Sequence, residues 1–379
     1  MPDRYDVIVV GLGAMGSATL HQLAHRGLRV LGLEQFTPGH ANGSSHGKSR
    51  IIREAYFEDP RYVPLVQRAY ECWRALEAES GVTVFRQTGG LMLGAAESEL
   101  VAGALLSARL HNLSHELVTA EEVRRRFPAF RPRANDVGVL EPRAGMLAPE
   151  RAIVAFVSVA KRHGADVRSE EPMLSWRAVA DGVEVTTAHA TFSAATLVLS
   201  VGAWTGKALR ELGVPFAPQR NVLYWFAPAA NASHFSPGKF PIFLQDLDRG
   251  YTMYGFPDTG DGVKVALHHF GENVDPDMLR RTVSETEIAF MRSLLADWMP
   301  DANGALRDAA ACMYTNVPDN HFVLDRHPSH RNVIVASPCS GHGFKFASVL
   351  GEVLADLAMD VIPAFDTSLF SLARFNAPA

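Results

Sequence analysis

Gly11-x-Gly13-x-x-Gly16 follows the apolar run Asp6–Val10 and leads into a segment of helical spacing from Ser17 to Arg26. Glycines so spaced permit a tight turn and let a pyrophosphate approach a helix N-terminus. Glu34 ends a second apolar run about 20 residues further on, where it can accept from ribose hydroxyls. This pattern points to a bound dinucleotide without separating NAD from FAD. A second group is Ser44-Ser45-His46-Gly47-Lys48-Ser49-Arg50-Ile51-Ile52-Arg53. Its small residues suit close packing against a ring. Arg50 and Arg53, three apart, share a face in a turn or helix, and one could hold a carboxylate bidentately. By itself the segment reads equally well as a solvated basic turn.

Three further groups lie toward the C-terminus. Cys312, in Ala311-Cys312-Met313-Tyr314-Thr315, offers a thiol, although a free cysteine most often behaves as a small buried hydrophobe. Ser340-Gly341-His342-Gly343-Phe344-Lys345 is a small-residue turn that brings a cation and backbone N–H groups to a helix start. Such a turn suits the pyrimidine edge of a flavin, which becomes negative near N1 and O2 on reduction. Tyr254-Gly255-Phe256-Pro257 precedes Lys264 and His268. Lys264 stands in the alternating run Val263-Lys264-Val265-Ala266-Leu267, on the polar face of a strand or turned inward.

The elements that must position these groups follow from periodicity. Strands are expected at Asp6–Val10, Leu28–Leu33, Leu91–Leu93, Ala165–Ser169, Gly182–Thr187, Ala194–Ser200 and Val333–Ala336, with several short ones between Pro215 and Leu267. Helices are expected over Pro60–Ser80, Ala120–Arg126, Pro149–His163, Asp277–Leu295 and Phe344–Met359, and Gly202–Thr205 should turn into a helical piece at Gly206–Leu212. Strand-and-helix pieces at both ends with β-rich pieces between them predict a two-domain α/β plus α+β fold. Its Rossmann-like dinucleotide-binding domain is discontinuous, over residues 1–84, 146–214 and 316–379. A mixed or antiparallel-sheet substrate domain is inserted over residues 85–145 and 215–315.

Composition narrows the function class. The 379 residues are 47% hydrophobic and 20% charged, with net charge -5. That balance offers no footprint for nucleic acid or an acidic membrane surface. Three cysteines without paired spacing argue against a disulfide framework and against zinc, and no metal is expected. The short N-terminal apolar run is neither a span nor a signal peptide. The chain ends Asn-Ala-Pro-Ala, without a Ser-Lys-Leu address. A reducing cytoplasm is the expected location.

In order along the chain, Arg-Ile-Ile-Arg, Gly-Phe-Pro, Cys-Met-Tyr-Thr and Ser-Gly-His-Gly-Phe-Lys-Phe resemble the monomeric sarcosine oxidase and N-methyltryptophan oxidase family of FAD-dependent amine oxidases. The resemblance is densest at Val7–Glu34, Ser45–Pro64, Tyr254–Gly271 and Cys312–Gly351. It implies an FAD-binding domain with Gly11, Gly13, Gly16 and Glu34 at the ADP part, and Ser45, His46, Arg50, Gly341, His342, Gly343 and Lys345 around the flavin. It implies a thioether from Cys312 to the flavin. Arg53 and Lys345 become the grip on a substrate carboxylate, Tyr254, His268 and Tyr314 the pocket walls, and Lys264 the residue that promotes reaction with O₂. The implied reaction oxidises the C–N bond of a secondary or N-methyl amino acid to an imine and yields hydrogen peroxide, in a monomer whose only partners are the small substrate and O₂. Because the amine must be neutral to react, activity should rise with pH. A same-fold dehydrogenase with another electron acceptor and a non-catalytic flavin-binding protein are the rivals; Lys264 favours the oxidase over the first, and the intact set Arg53, Lys264, Cys312 and Lys345 weighs against the second. Three departures stand out: Lys48 where an Asp is common, which either alters charge near the flavin or reaches solvent; the divergent 241–254 segment with Leu244-Gln245-Asp246-Leu247-Asp248, which leaves substrate size and polarity open; and Pro338-Cys339 in place of smaller residues.

Overall fold

The computed structural model describes residues 4–247 and 250–375; Asp248 of the divergent segment therefore lies outside the described residues. Its first sheet grows from the apolar run at the N-terminus. Tyr5–Val10 pairs in parallel with Val30–Leu33 on one side and with Thr191–Leu199 on the other. Asp166–Arg168 extends the sheet beyond Val30–Leu33, and His330–Ser337 joins Thr191–Leu199 in parallel. Continuous apolar runs suit strands covered on both faces, and Ile8, Val9, Leu31, Leu197 and Val333 are fully buried. Antiparallel hairpin strands at Ser175–Val179 and Gly182–Thr186 close one edge.

Helices cover this sheet. We name α1 (Ala14–His25), α2 (Val63–Ser80), α3 (Glu99–Leu110), α4 (Ala120–Arg126), α5 (Pro149–Arg162), α6 (Thr205–Ala208), α7 (Glu285–Trp298) and α8 (Ala347–Ala358). The pyrophosphate-type turn leads straight into α1, with Gly13 as its N-cap. Small residues along α1 let α5 and α8 pack against it.

The second sheet has eight strands in the order Leu306–Asn316, Ala217–Phe226, Val263–His268, Tyr251–Phe256, Ile242–Leu247, Gly90–Ala95, Asp136–Glu141 and Glu116–Thr119. It is antiparallel except where Ile242–Leu247 meets Gly90–Ala95. Alternation places Tyr224, Phe226, Phe243, Met253 and Val265 in a separate core. A three-stranded sheet, Arg50–Ile52, Gly145–Leu147 and Phe85–Gln87, joins the two regions. Phe85–Gln87 falls just inside the range expected for the inserted domain, yet it pairs with Gly145–Leu147.

Three sequence expectations change, and one helix was not among them. The helix expected over Asp277–Leu295 begins only at Glu285, because Ser284 and Glu287 form a capping box; Pro276–Met278 is a separate turn. The helix expected over Phe344–Met359 is split into a 3₁₀ turn, Phe344–Phe346, and α8. The piece Gly206–Leu212 breaks at Leu209 between α6 and a 3₁₀ turn, Arg210–Leu212. Helix α3 was unread: Gly103 looks like a breaker in the sequence, but a Cβ there would lie 2.4 Å from Phe57 O, so its absence permits close packing.

Candidate active site

One cavity, of about 400 Å³, runs from the glycine turn to the face of the second sheet. At its first end Glu34 is locked rather than free. Its Oε2 accepts from Leu12 N at 2.7 Å and its Oε1 from Phe36 N at 2.9 Å. The turn is thereby braced from the end of the neighbouring strand. Gly16 serves packing: a Cβ there would lie 1.9 Å from Gly11 O. Gly13 differs, since a Cβ there would meet only Ser45 Oγ, at 3.8 Å.

Midway, Arg50 and Cys312 face each other across the two sheets. Arg50 Nη2 donates to Ser44 O at 2.8 Å and lies 3.4 Å from Cys312 Sγ. Burial alone would push the thiol up, but the Arg50 guanidinium and then His46 bring it down to about 6. Cys312, held by strand Leu306–Asn316, is thereby favoured toward the thiolate, with Ser44 O 3.4 Å from its Sγ. Lys264 Nζ donates to Gly47 O at 2.6 Å and Ser49 O at 2.8 Å, and packs over Phe256 and Trp225. Burial, with Arg50 nearby, holds its pKa well below the ordinary lysine value. Lys48 turns outward to Asp261 and Asp308.

At the far end Arg53 is fully engaged. Its Nη2 meets both carboxylate oxygens of Glu58, at 2.8 and 2.6 Å, and its Nη1 donates to Ala55 O. Burial opposes the Glu58 charge, yet Arg53, His342 and Lys345 together hold that carboxyl down at about 2. Lys345 Nζ donates to His342 O at 2.7 Å, and burial plus Arg53 push its ammonium down to about 7. His342 is neutral, with its pKa lowered by burial to about 4. Its Nε2 donates to Asn320 O, so Nδ1 accepts from Tyr56 Oη.

Opposite these cations stand three rings from the second sheet. Tyr314 Oη is 3.5 Å from Tyr254 Oη and 3.4 Å from His268 Nδ1. Burial and the neighbouring His269 keep His268 well below the usual imidazole pKa. Gly341 sits at φ 78°, and a Cβ there would lie 2.6 Å from the Tyr314 ring. The small-residue turn therefore abuts the aromatic wall directly. The His342 amide in that turn is spent on Cys339 O. Cys339 itself lines the cavity, its thiol pushed up to about 11 by burial.

The cavity wall includes Gly11, Gly13, Glu34, Ser45, Arg50, Arg53, Tyr254, His268, Cys312, Tyr314, Gly341, His342, Gly343 and Lys345. Gly16, His46 and Lys264 stand behind that wall. Sequence reasoning missed Glu58, whose charge fills the Arg53 fork, and Ser44 and Thr315. The hydroxyl of Ser44 is buried without a partner among the described residues, and that of Thr315 has the Cys339 thiol beside it. An orphaned hydroxyl, a glycine open to the cavity and a cation-flanked thiol fit a dinucleotide with a polar ring system, as FAD is.

Comparison with known proteins agrees with this geometry. The FAD dependent oxidoreductase family (DAO) matches residues 6–357. A monomeric sarcosine oxidase of Streptomyces avermitilis is 46% identical, covering 100% of this chain and 99% of its own. An N-methyl-L-tryptophan oxidase of Salmonella heidelberg is 34% identical, covering 98% and 100%. Among solved structures, NikD, an amino acid oxidase of nikkomycin biosynthesis, superposes with TM-score 0.85 at 25% identity over 97% of each chain.

Proposed function

Because the chain belongs to the FAD-dependent oxidoreductase family, in its monomeric sarcosine oxidase and N-methyltryptophan oxidase group, we propose that it oxidises the C–N bond of a secondary or N-methyl amino acid with O₂, giving an imine and hydrogen peroxide. The observation that carries this reading is the continuity of the cavity. One wall joins a dinucleotide turn, the Cys312 thiol and a paired cation site to a cluster of three rings. FAD, when bound, would supply the acceptor for the hydride equivalent and pass the electrons to O₂.

Gly11, Gly13 and Glu34 would hold the ADP part, with Gly16 setting the helix against the turn. Ser45, Arg50, Gly341, His342 and Gly343 would surround the flavin, with His46 behind Cys312. Cys312 is the residue for a thioether tether. Arg53 and Lys345 would grip the substrate carboxylate and so fix the α-carbon and amine. Glu58 already fills the Arg53 fork, so a substrate carboxylate enters by displacing or sharing that ion pair. Tyr254, Tyr314 and His268 would bound the amine end, where a His268 held well below the usual imidazole pKa disfavours a second positive charge and so suits an amine bound in its neutral form. Lys264 would put a cation beside the O₂-reactive face, braced by Gly47 and Ser49. No described helix is long and apolar enough to cross a membrane, and the reading is of a monomeric cytoplasmic enzyme.

Two experiments test this. A panel of sarcosine, N-methyltryptophan and pipecolate should release peroxide with at least one member; silence across N-methyl and cyclic amino acids sinks the substrate class. After acid denaturation the yellow colour should stay with the chain. In Cys312→Ser it should wash off; colour that stays with that variant rules out Cys312 as the tether.

A further inference from the structure

Away from the cavity, four metal-competent side chains converge where α1, α2 and the end of α5 meet. His21 and His25 are four residues apart on α1, so their rings leave the same face one turn apart. Glu79 reaches in from the last turn of α2, and His163 follows directly after α5. Glu79 Oε2 lies 2.9 Å from His21 Nε2. Glu79 Oε1 lies 2.7 Å from His163 Nε2 and 3.6 Å from His25 Nδ1. One ligand atom each from His21, His25 and Glu79 falls within 4.8 Å of the others. A tetrahedral ion with bonds of 2.0–2.1 Å spaces its donors about 3.3 Å apart; His163, whose contact is with Glu79, falls outside that group of three and has to swing inward to become the fourth ligand.

The cluster is unusual as a plain ion-pair group. Three imidazoles surround one carboxylate, which can balance only one positive charge. The rings of His25 and His163 lie 5.0 Å apart, and those of His21 and His25 lie 5.9 Å apart.

We propose that His21, His25, Glu79 and His163 bind one divalent transition-metal ion of the zinc class. Three nitrogen donors to one oxygen disfavour magnesium and calcium, which take oxygen shells. His25 is 56% exposed and His163 36%, so the ion can load from solvent after folding. The low cysteine count, which argued against zinc, has no bearing on a histidine site. The ion would clamp the C-terminal ends of α1, α2 and α5 together. The other end of α1 carries the glycine turn, so the clamp would fix the helix on which the dinucleotide rests. None of the four residues lines the cavity.

The test uses tag-free holoenzyme dialysed against buffered Zn²⁺ and counted by elemental analysis, with Co²⁺ as an optical probe. Wild type should retain about one Zn²⁺ per chain, show the visible absorption of tetrahedral Co²⁺, and unfold at a higher temperature with zinc than without. His25→Ala and His163→Ala should each weaken binding at least about tenfold, the least that even a lost supporting hydrogen bond costs a zinc site. The double variant should retain none, while its flavin colour and turnover in metal-free buffer match wild type and show that it has folded. Equal metal content in wild type and the double variant, whether zero or one, overturns the site. A purely octahedral Co²⁺ spectrum overturns the four-ligand shell.

Discussion

Arg53 and Glu58 show what one ion pair does to a binding site. A bidentate pair this buried places an internal anion where a substrate carboxylate should sit. Glu58→Gln removes the competitor, so a simple carboxylate such as acetate should bind about tenfold more tightly at pH 6, within the energy of a charge-assisted hydrogen bond. Perturbation of the flavin spectrum measures it; unchanged or weaker binding would show that Glu58 does not compete. Lys345 sets the pH dependence. Its ammonium titrates near 7, charged below and neutral above. Acetate binding should therefore weaken as pH rises through about 7 in the wild type. In Lys345→Arg the loss should move far upward, because a guanidinium keeps its charge. Glu58 supports the Lys345 charge, so in Glu58→Gln the loss should begin at lower pH. The cations were legible in the sequence because arginine and lysine in small-residue segments invite a carboxylate. Glu58 was not, because its meaning depends on a side chain folding back over a turn to reach a residue five positions earlier.

At the scale of elements, two glycines of one motif carry different duties. Gly16 holds α1 against the turn, where a methyl group would collide with Gly11 O. Gly13 faces open space, so the obstacle to a side chain there is the ligand itself. Gly16→Ala should cost both folding and FAD content. Gly13→Ala should leave the unfolding temperature of the apoprotein nearly unchanged and lower FAD affinity by tenfold or more. Thermal melts and flavin titration of both variants, made in the Cys312→Ser background, separate the two; a Gly13→Ala apoprotein that melts far below its parent would refute the assignment. The glycine turn and its strand were readable because both glycine spacing and an apolar run are local signals. The late start of α7 was carried by an equally local signal, Ser284-x-x-Glu287, which apolar periodicity overshadowed. The break between Phe346 and Ala347 had no such signal, since it depends on Lys345 O accepting from Trp73 of α2 and on the cavity claiming the Lys345 side chain.

For the whole molecule, the small linking sheet and one carboxylate tie the two large sheets together. Glu141 ends a strand of the second sheet and accepts from Glu54 N at 2.6 Å and Ala55 N at 2.9 Å, just beyond Arg53. Burial pushes its pKa up to about 7, against those two donors. A carboxyl raised in the fold contributes stability at low pH that is lost as pH rises through about 7. Glu141→Gln cannot accept both amides and should cost about 1–3 kcal/mol. The gap in melting temperature between wild type and this variant should narrow from pH 5 to pH 8; a gap that stays constant would mean Glu141 is charged throughout. Sequence patterning exposed two domains but not this seam, because strands of three residues carry no period to read. The first sheet also has a consequence for the order of synthesis. Tyr5–Val10 lies beside Thr191–Leu199, and that strand beside His330–Ser337. At 5–20 residues per second, the N-terminal strand waits about 10–40 s for its partner to leave the ribosome. During that wait the strand has Val30–Leu33 on one side only and its other edge stays open, so the nascent chain should depend on chaperones, and refolding from denaturant should be slow and favoured by dilution.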